Sequence, residues 1–221
     1  MRRLLLIAAM CVPATATAHF HLDAPPVAYV QDTQGDPQKL GPCGGSTTAT
    51  TEVTNLQPGS MLPLTITETI THAGWYRVSI AQNEAALPAM PTLQNCNAAT
   101  INQTPTMPLI ADGLFEHTAA FTAAQSKQVQ LPSGFECTNC VLQVVEVMTQ
   151  STAPACYYYH CARVNISADA PATPDAGVTN PGTGGDAGTT DPATTTGGCS
   201  TTGDASPMLL LLALVALRRR R

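Results

Sequence analysis

The chain has 221 residues, of which 44% are apolar and only 11% charged, with a formal net charge of −5. Between residues 19 and 167 the only cations are Lys39, Arg77, Lys127 and Arg163, against ten Asp and Glu. Phosphate recognition needs a basic face, so this mildly acidic balance excludes nucleic acid as a partner. Thr, Gln, Asn and Ser supply the surface polarity instead, as in many exported β-proteins.

Residues 1–18 read as a secretory leader. Arg2 and Arg3 give the positive start, Leu4 to Val12 the short apolar core, and Ala16-Thr17-Ala18 a small-residue cleavage site. Cleavage after Ala18 makes His19 the first residue of the mature protein. An N-terminal histidine offers its α-amino group and its Nδ1 to one metal ion as a chelate. The amine titrates near neutrality, at about 7.7–8.0, so a metal can displace its proton there.

Residues 19–167 form a domain of about 150 residues, the size of one core, and are expected to act as a monomer. Strand-like runs, rich in Val, Ile, Thr and Tyr, fall at 61–71, 74–80, 114–122, 127–131, 141–148 and 157–166. In the first of these Leu64, Ile66 and, after a slip, Ile70 face one way. Tyr76, Val78 and Ile80 alternate with Arg77 and Ser79. Region 82–112 carries Pro88, Pro91, Pro105 and Pro108 and reads as a long, disulfide-tethered loop. No helical period stands out. Short strands, turns and cysteines together predict an all-β, immunoglobulin-like sandwich with disulfide-tethered loops.

Cys11 leaves with the leader, and six cysteines fall in the domain: Cys43, Cys96, Cys137, Cys140, Cys156 and Cys161. An even number in an exported domain implies disulfides. The pairing adopted here joins Cys43 to Cys96 and sends Cys137 and Cys140 each to one of Cys156 and Cys161. Cys137-Thr-Asn-Cys140 has a second reading as a zinc or redox pair. No second C-x-x-C accompanies it, and the compartment is oxidising.

Residues 168–198 are almost entirely Ala, Asp, Gly, Pro, Thr and Asn, and predict a disordered spacer. Residues 199–221 run from Cys199-Ser200 through an apolar stretch, Met208 to Leu217, into four arginines. That stretch is about ten residues, half of what a stable span needs. It resembles the myxobacterial C-terminal sorting tag. The resemblance implies a sorting protease acting near Cys199 and display at the cell surface or outer membrane.

All five histidines (19, 21, 72, 117 and 160) lie in the mature domain. His72 ends one strand just before another, with Gly74 allowing the turn. In Cys156-Tyr-Tyr-Tyr-His-Cys161 the period of two puts Tyr158 and His160 on one face, Tyr157 and Tyr159 on the other. His21 reads as a solvated neighbour of His19, His117 as a surface strand residue, and His160 as structural.

A leader cut before His19, His72 in a His-x-Gly-aromatic turn, and Tyr158 three residues before Cys161 together resemble the lytic polysaccharide monooxygenases and their relatives. The segment Cys137-Thr-Asn-Cys-Val-Leu-Gln143 strengthens that likeness. The resemblance implies one copper ion in a histidine brace, with the His19 amine and Nδ1, an imidazole nitrogen of His72, and Tyr158 as weak axial group. Tyr159 takes that place if the register differs by one. Three nitrogens suit Cu(II), and imidazole also tolerates Cu(I). Gln143 and Glu146 are the candidates for the family's carboxylate or amide beside the metal. Ile70 stands where a small residue lines the oxygen side in bacterial members.

The implied activity is oxidative cleavage of a polysaccharide by hydroxylation of a C–H next to a glycosidic bond, with an external electron donor. The alternative is a surface copper carrier that uses the same brace without oxygenase chemistry.

Overall fold

The computed structural model describes residues 19–171. The leader, most of the spacer, Cys199 and the sorting tag lie outside the described residues. Eight strands and two single-turn 3-10 segments make up the domain. The strands are β1 (His19–Ala24), β2 (Thr54–Leu56), β3 (Met61–Ile70), β4 (Gly74–Ala81), β5 (Leu109–His117), β6 (Gln125–Gln130), β7 (Cys137–Met148) and β8 (Tyr157–Ile166).

They form two sheets, β1-β3-β6 and β2-β8-β7-β4-β5. The pairings are antiparallel apart from β2, which runs parallel to β8. Between the sheets lies one apolar core. Phe20, Leu22, Leu62, Leu64 and Ile66 enter from the small sheet, and Tyr76, Val78, Leu142, Val144, Tyr158 and Ala162 from the large one. This is the all-β sandwich that the short alternating runs predict.

The two sheets differ on their outer faces. The small sheet shows water the exposed Met61 and a hydroxyl pair, Thr65 with Ser126 at 2.8 Å. The large sheet is buried on both faces. Loops cover Trp75, Val145, Val147 and Tyr157 near one end and Ala81, Val141 and Cys161 near the other. Hence β7 reads as an almost continuous apolar run rather than an alternating one.

Several expectations need correction. The fifth strand is Leu109–His117 rather than 114–122. It starts inside the supposed loop because Leu109 and Ala111 find partners in Ser79 and Val78. Two strands, β1 and β2, are not among the expected runs. The expected slip before Ile70 is present as a register shift: His19 pairs with Ile70 but Phe20 with Glu68, whose side chain is buried.

The disulfides are Cys43–Cys161, Cys96–Cys156 and Cys137–Cys140, with Cα separations of 5.1, 5.1 and 6.0 Å. The expected pairing of Cys43 with Cys96, and of Cys137 and Cys140 with Cys156 and Cys161, is therefore wrong. Register explains it. Cys140 lies opposite Val164, while Cys161 lies opposite Gln143. Three strand positions are about 10 Å, beyond the reach of a disulfide. Cys137 and Cys140 instead close on each other across an irregularity in β7, with Asn139 at φ 53. Cys96 still tethers the long loop, but to Cys156 at the start of β8.

Candidate metal centre

β1 carries His19 to the end of the small sheet, where it pairs with Ile70 in β3. Two residues later the chain turns, and His72 sits in that turn before β4. The turn is firmly held. Thr149 donates both its amide and its hydroxyl to the carbonyl of Ala73, at 2.8 and 3.0 Å. Gly74 is required, since a Cβ there would lie 2.0 Å from the carbonyl oxygen of Val147. The strand pairing and this turn bring the two histidines to one end of the sandwich.

Tyr158 reaches the same place from the inner face of β8. Its ring meets that of His19 edge to face, with centroids 5.6 Å apart. Tyr159 points the other way, packing against Gly41 and tilting on Tyr157. The alternation expected for the Tyr run is therefore present, and only Tyr158 lies beside His19.

Asp36, in the loop after β1, makes a 2.8 Å contact from Oδ2 to His19 Nε2. Sequence reasoning missed it, because a loop residue 17 positions away announces nothing by spacing. A carboxylate on one ring nitrogen fixes the imidazole's orientation and tautomer, as it does for metal-bound histidines generally. The contact is made through Nε2, the ring nitrogen farther from the His19 backbone. Lys39 Nζ lies 3.8 Å from the same Asp36 oxygen and 6.0 Å from the centre of the Tyr158 ring.

His72 is buried, and its Nδ1 has no hydrogen-bond partner. Burial, the main cause, lowers its pKa, so the neutral imidazole dominates at pH 7. Neutral imidazole is the form that binds a metal. Among the described residues no three His, Cys, Asp or Glu side chains form a ready-made cage. A histidine brace does not ask for one: two imidazoles and one main-chain amine suffice. An oriented His19 and a neutral His72 with an unpartnered nitrogen fit such a site.

Around these groups lies a buried polar cluster. Glu68 Oε1 accepts from the Tyr76 hydroxyl at 3.0 Å and meets His117 Nε2 at 2.8 Å. His117 is thus no surface residue: its side chain is 5% exposed and that of Glu68 2%. Burial opposes the charge on His117, but its contacts with Glu68 and with the carbonyl of Phe115 outweigh this and raise its pKa. Glu146 lies between Tyr76 and Tyr158 in the sheet register. Desolvation, reinforced by the charge of Glu68, pushes its pKa well up, and neither of its oxygens has a partner.

Of the two residues expected to flank the metal, Glu146 shares the inner face with Tyr76 and Tyr158. Gln143 is not: it lies on the outer face and donates to the Pro42 carbonyl at 2.9 Å. His160 is structural, as expected, and pairs with the Phe20 carbonyl at 3.0 Å. His21 is half-buried on β1 opposite Thr67. Trp75 and Tyr76 are both core.

The signal for Glu68 was available in the sequence. A strict period of two places it inward with Leu62, Leu64 and Ile66, and an inward carboxylate must find a partner.

The family model described as copper acquisition factor BIM1-like matches residues 17–181. Among solved structures the chain is similar to a lytic polysaccharide monooxygenase of class AA15 from Thermobia domestica, in its Cu(I) state. The match has 18% identity and a TM-score of 0.46, covering 68% of this chain and all of that one. No curated protein matches. With its family model spanning most of the chain, this protein belongs to the BIM1-like copper acquisition factors.

Proposed function

We propose that this protein is an exported copper-acquisition protein that holds one copper ion in a histidine brace. The His19 amine and Nδ1 and an imidazole nitrogen of His72 would hold it, with Tyr158 beside His19. What supports this reading is the copper-acquisition family model over residues 17–181, together with a His19 ring oriented by Asp36. Export by the leader supplies the free amine, and removal of the tag near Cys199 leaves the protein at the cell surface.

The residues divide the work. Asp36 orients His19 and offsets positive charge. Burial keeps His72 neutral, so it gives up no proton on binding. The Tyr158 phenol stays protonated, since burial, then Asp36 and Glu146, raise its pKa. Copper, once bound, supplies one-electron redox chemistry between Cu(II) and Cu(I).

Acquisition is favoured over oxygenase action by the surface. Among the described residues the large exposed apolar side chains are Val30, Leu40, Val53, Met61 and Met107. None is aromatic, whereas a polysaccharide face gains much of its hold from exposed aromatic platforms. The oxygenase reading, with a polysaccharide substrate and an external electron donor, is kept by the Tyr158–His19 pairing that the sequence resemblance implies.

One experiment separates the two. Correctly processed, copper-loaded protein is incubated with ascorbate and insoluble chitin or cellulose, and the products are analysed by mass spectrometry. Tight copper binding without oxidised oligosaccharides is the expected result. Oxidised oligosaccharides that vanish in His72→Ala would establish the oxygenase instead.

A further inference from the structure

The buried pair Glu68–His117 spans the turn that carries His72. Glu68 stands four residues before His72, near the end of β3. His117 closes β5, where it pairs with Gly74, two residues after His72. Their contact thus ties the strand entering the turn to the neighbour of the strand leaving it. The backbone of His72 also acts on His117, and the Glu68 carboxylate acts on the His72 imidazole.

β5 is bent to make this contact. Its pairing with β4 shifts between Gly74 and Tyr76, with Gly113 at φ 72 and Phe115 at φ 51. An aromatic residue in the left-handed region is strained, and such strain persists only where the surroundings enforce it. The Phe115 carbonyl is what meets His117 Nδ1, at 2.8 Å. With Nε2 on Glu68, the ring is held from both ends.

Stability does not account for the pair. A buried ion pair is often no better for stability than apolar residues of the same volume, but it fixes direction where apolar contact does not. We propose that Glu68 and His117 are positioning residues for His72, setting the direction in which its imidazole is presented to copper. The proposal rests on the brace reading above. Neither residue is itself one of the proposed copper ligands.

The test compares protein beginning at His19 with three variants: His117→Gln, the apolar pair Glu68→Leu/His117→Phe, and a remote control, Arg163→Gln. The apolar pair guards against simple unfolding, because it keeps volume in the core. Copper(II) affinity is read by chelator competition, the site by electron paramagnetic resonance, and the metal-free His72 ring by nitrogen-15 NMR shifts. His117→Gln and the apolar pair are expected to lose about 10- to 100-fold in copper affinity, with changed hyperfine splitting and changed His72 shifts. Arg163→Gln is expected to change none of these.

Wild-type affinity and spectra in the folded apolar pair would overturn the inference. Failure of the unmutated protein to bind copper would sink the brace reading instead. The metal-free His72 shifts would still decide the positioning: unchanged shifts in the apolar pair overturn it.

Discussion

Two buried carboxylates, Asp112 and Glu68, show how differently one fold treats a charge. Asp112, on β5, is fully buried and fully answered. It accepts from Trp75 Nε1, from Arg77 Nε and Nη2, and from the amides of Asn102 and Gly113. Glu68 has two partners on one oxygen and none on the other, and lies close to Glu146, which has none, and to His72, with an unpartnered nitrogen. Native interiors satisfy nearly all their buried polar groups. Asp112 is a satisfied structural hub, while the cluster of Glu68, Glu146 and His72 holds polar atoms without a protein partner.

Asp112 is expected to be indispensable to the fold. Replacing it by Ala strands Arg77, which is only 14% exposed, and is expected to cost about 3–5 kcal/mol. Copper bound per folded molecule should not change. Urea unfolding with and without copper measures both, and a loss of copper binding at full occupancy of the fold would erase the distinction drawn here.

His160 sharpens the same contrast through pH. Burial lowers its pKa to about 4, against the ordinary 6.5. The unfolded chain therefore binds more protons between those values, so stability is present above about pH 6.5 and is lost as pH falls towards 4. The shift corresponds to about 3 kcal/mol across that window. In His160→Gln, which can still donate to the Phe20 carbonyl, the stability should vary less between pH 7 and 5 than in the wild type. An identical pH dependence in the two proteins would contradict the assignment.

The smallest effects separate the two faces of β8. Tyr158→Phe is expected to alter the copper spectrum while changing affinity less than about tenfold, the mark of a weak axial neighbour. Tyr159→Phe, on the opposite face, should leave the spectrum untouched. A spectrum that responds to Tyr159 and ignores Tyr158 would reverse the placement.

How much of this was legible in the sequence varied with the range of the interaction. Local period gave the sandwich, the bounds of β8 at Tyr157 and Ile166, and the opposite facing of Tyr158 and Tyr159. Pairings that depend on register were not legible. Cys140 cannot be known to miss Cys161 until β7 and β8 are aligned. Asp36 reaches His19 only through a loop, and the partner of His117, Glu68, lies on a strand far away in sequence. Glu68 was the exception: its inward position was written in the alternation of β3.

The central claim is that the mature amine of His19 is a copper ligand. Its most direct test is equilibrium copper(II) binding, by competition with a chelator of known affinity, for protein beginning at His19 and for the same protein retaining Ala18. The amine becomes a peptide nitrogen in the longer chain, so binding there is expected to be at least about 100-fold weaker. Equal affinity in the two proteins would contradict the brace.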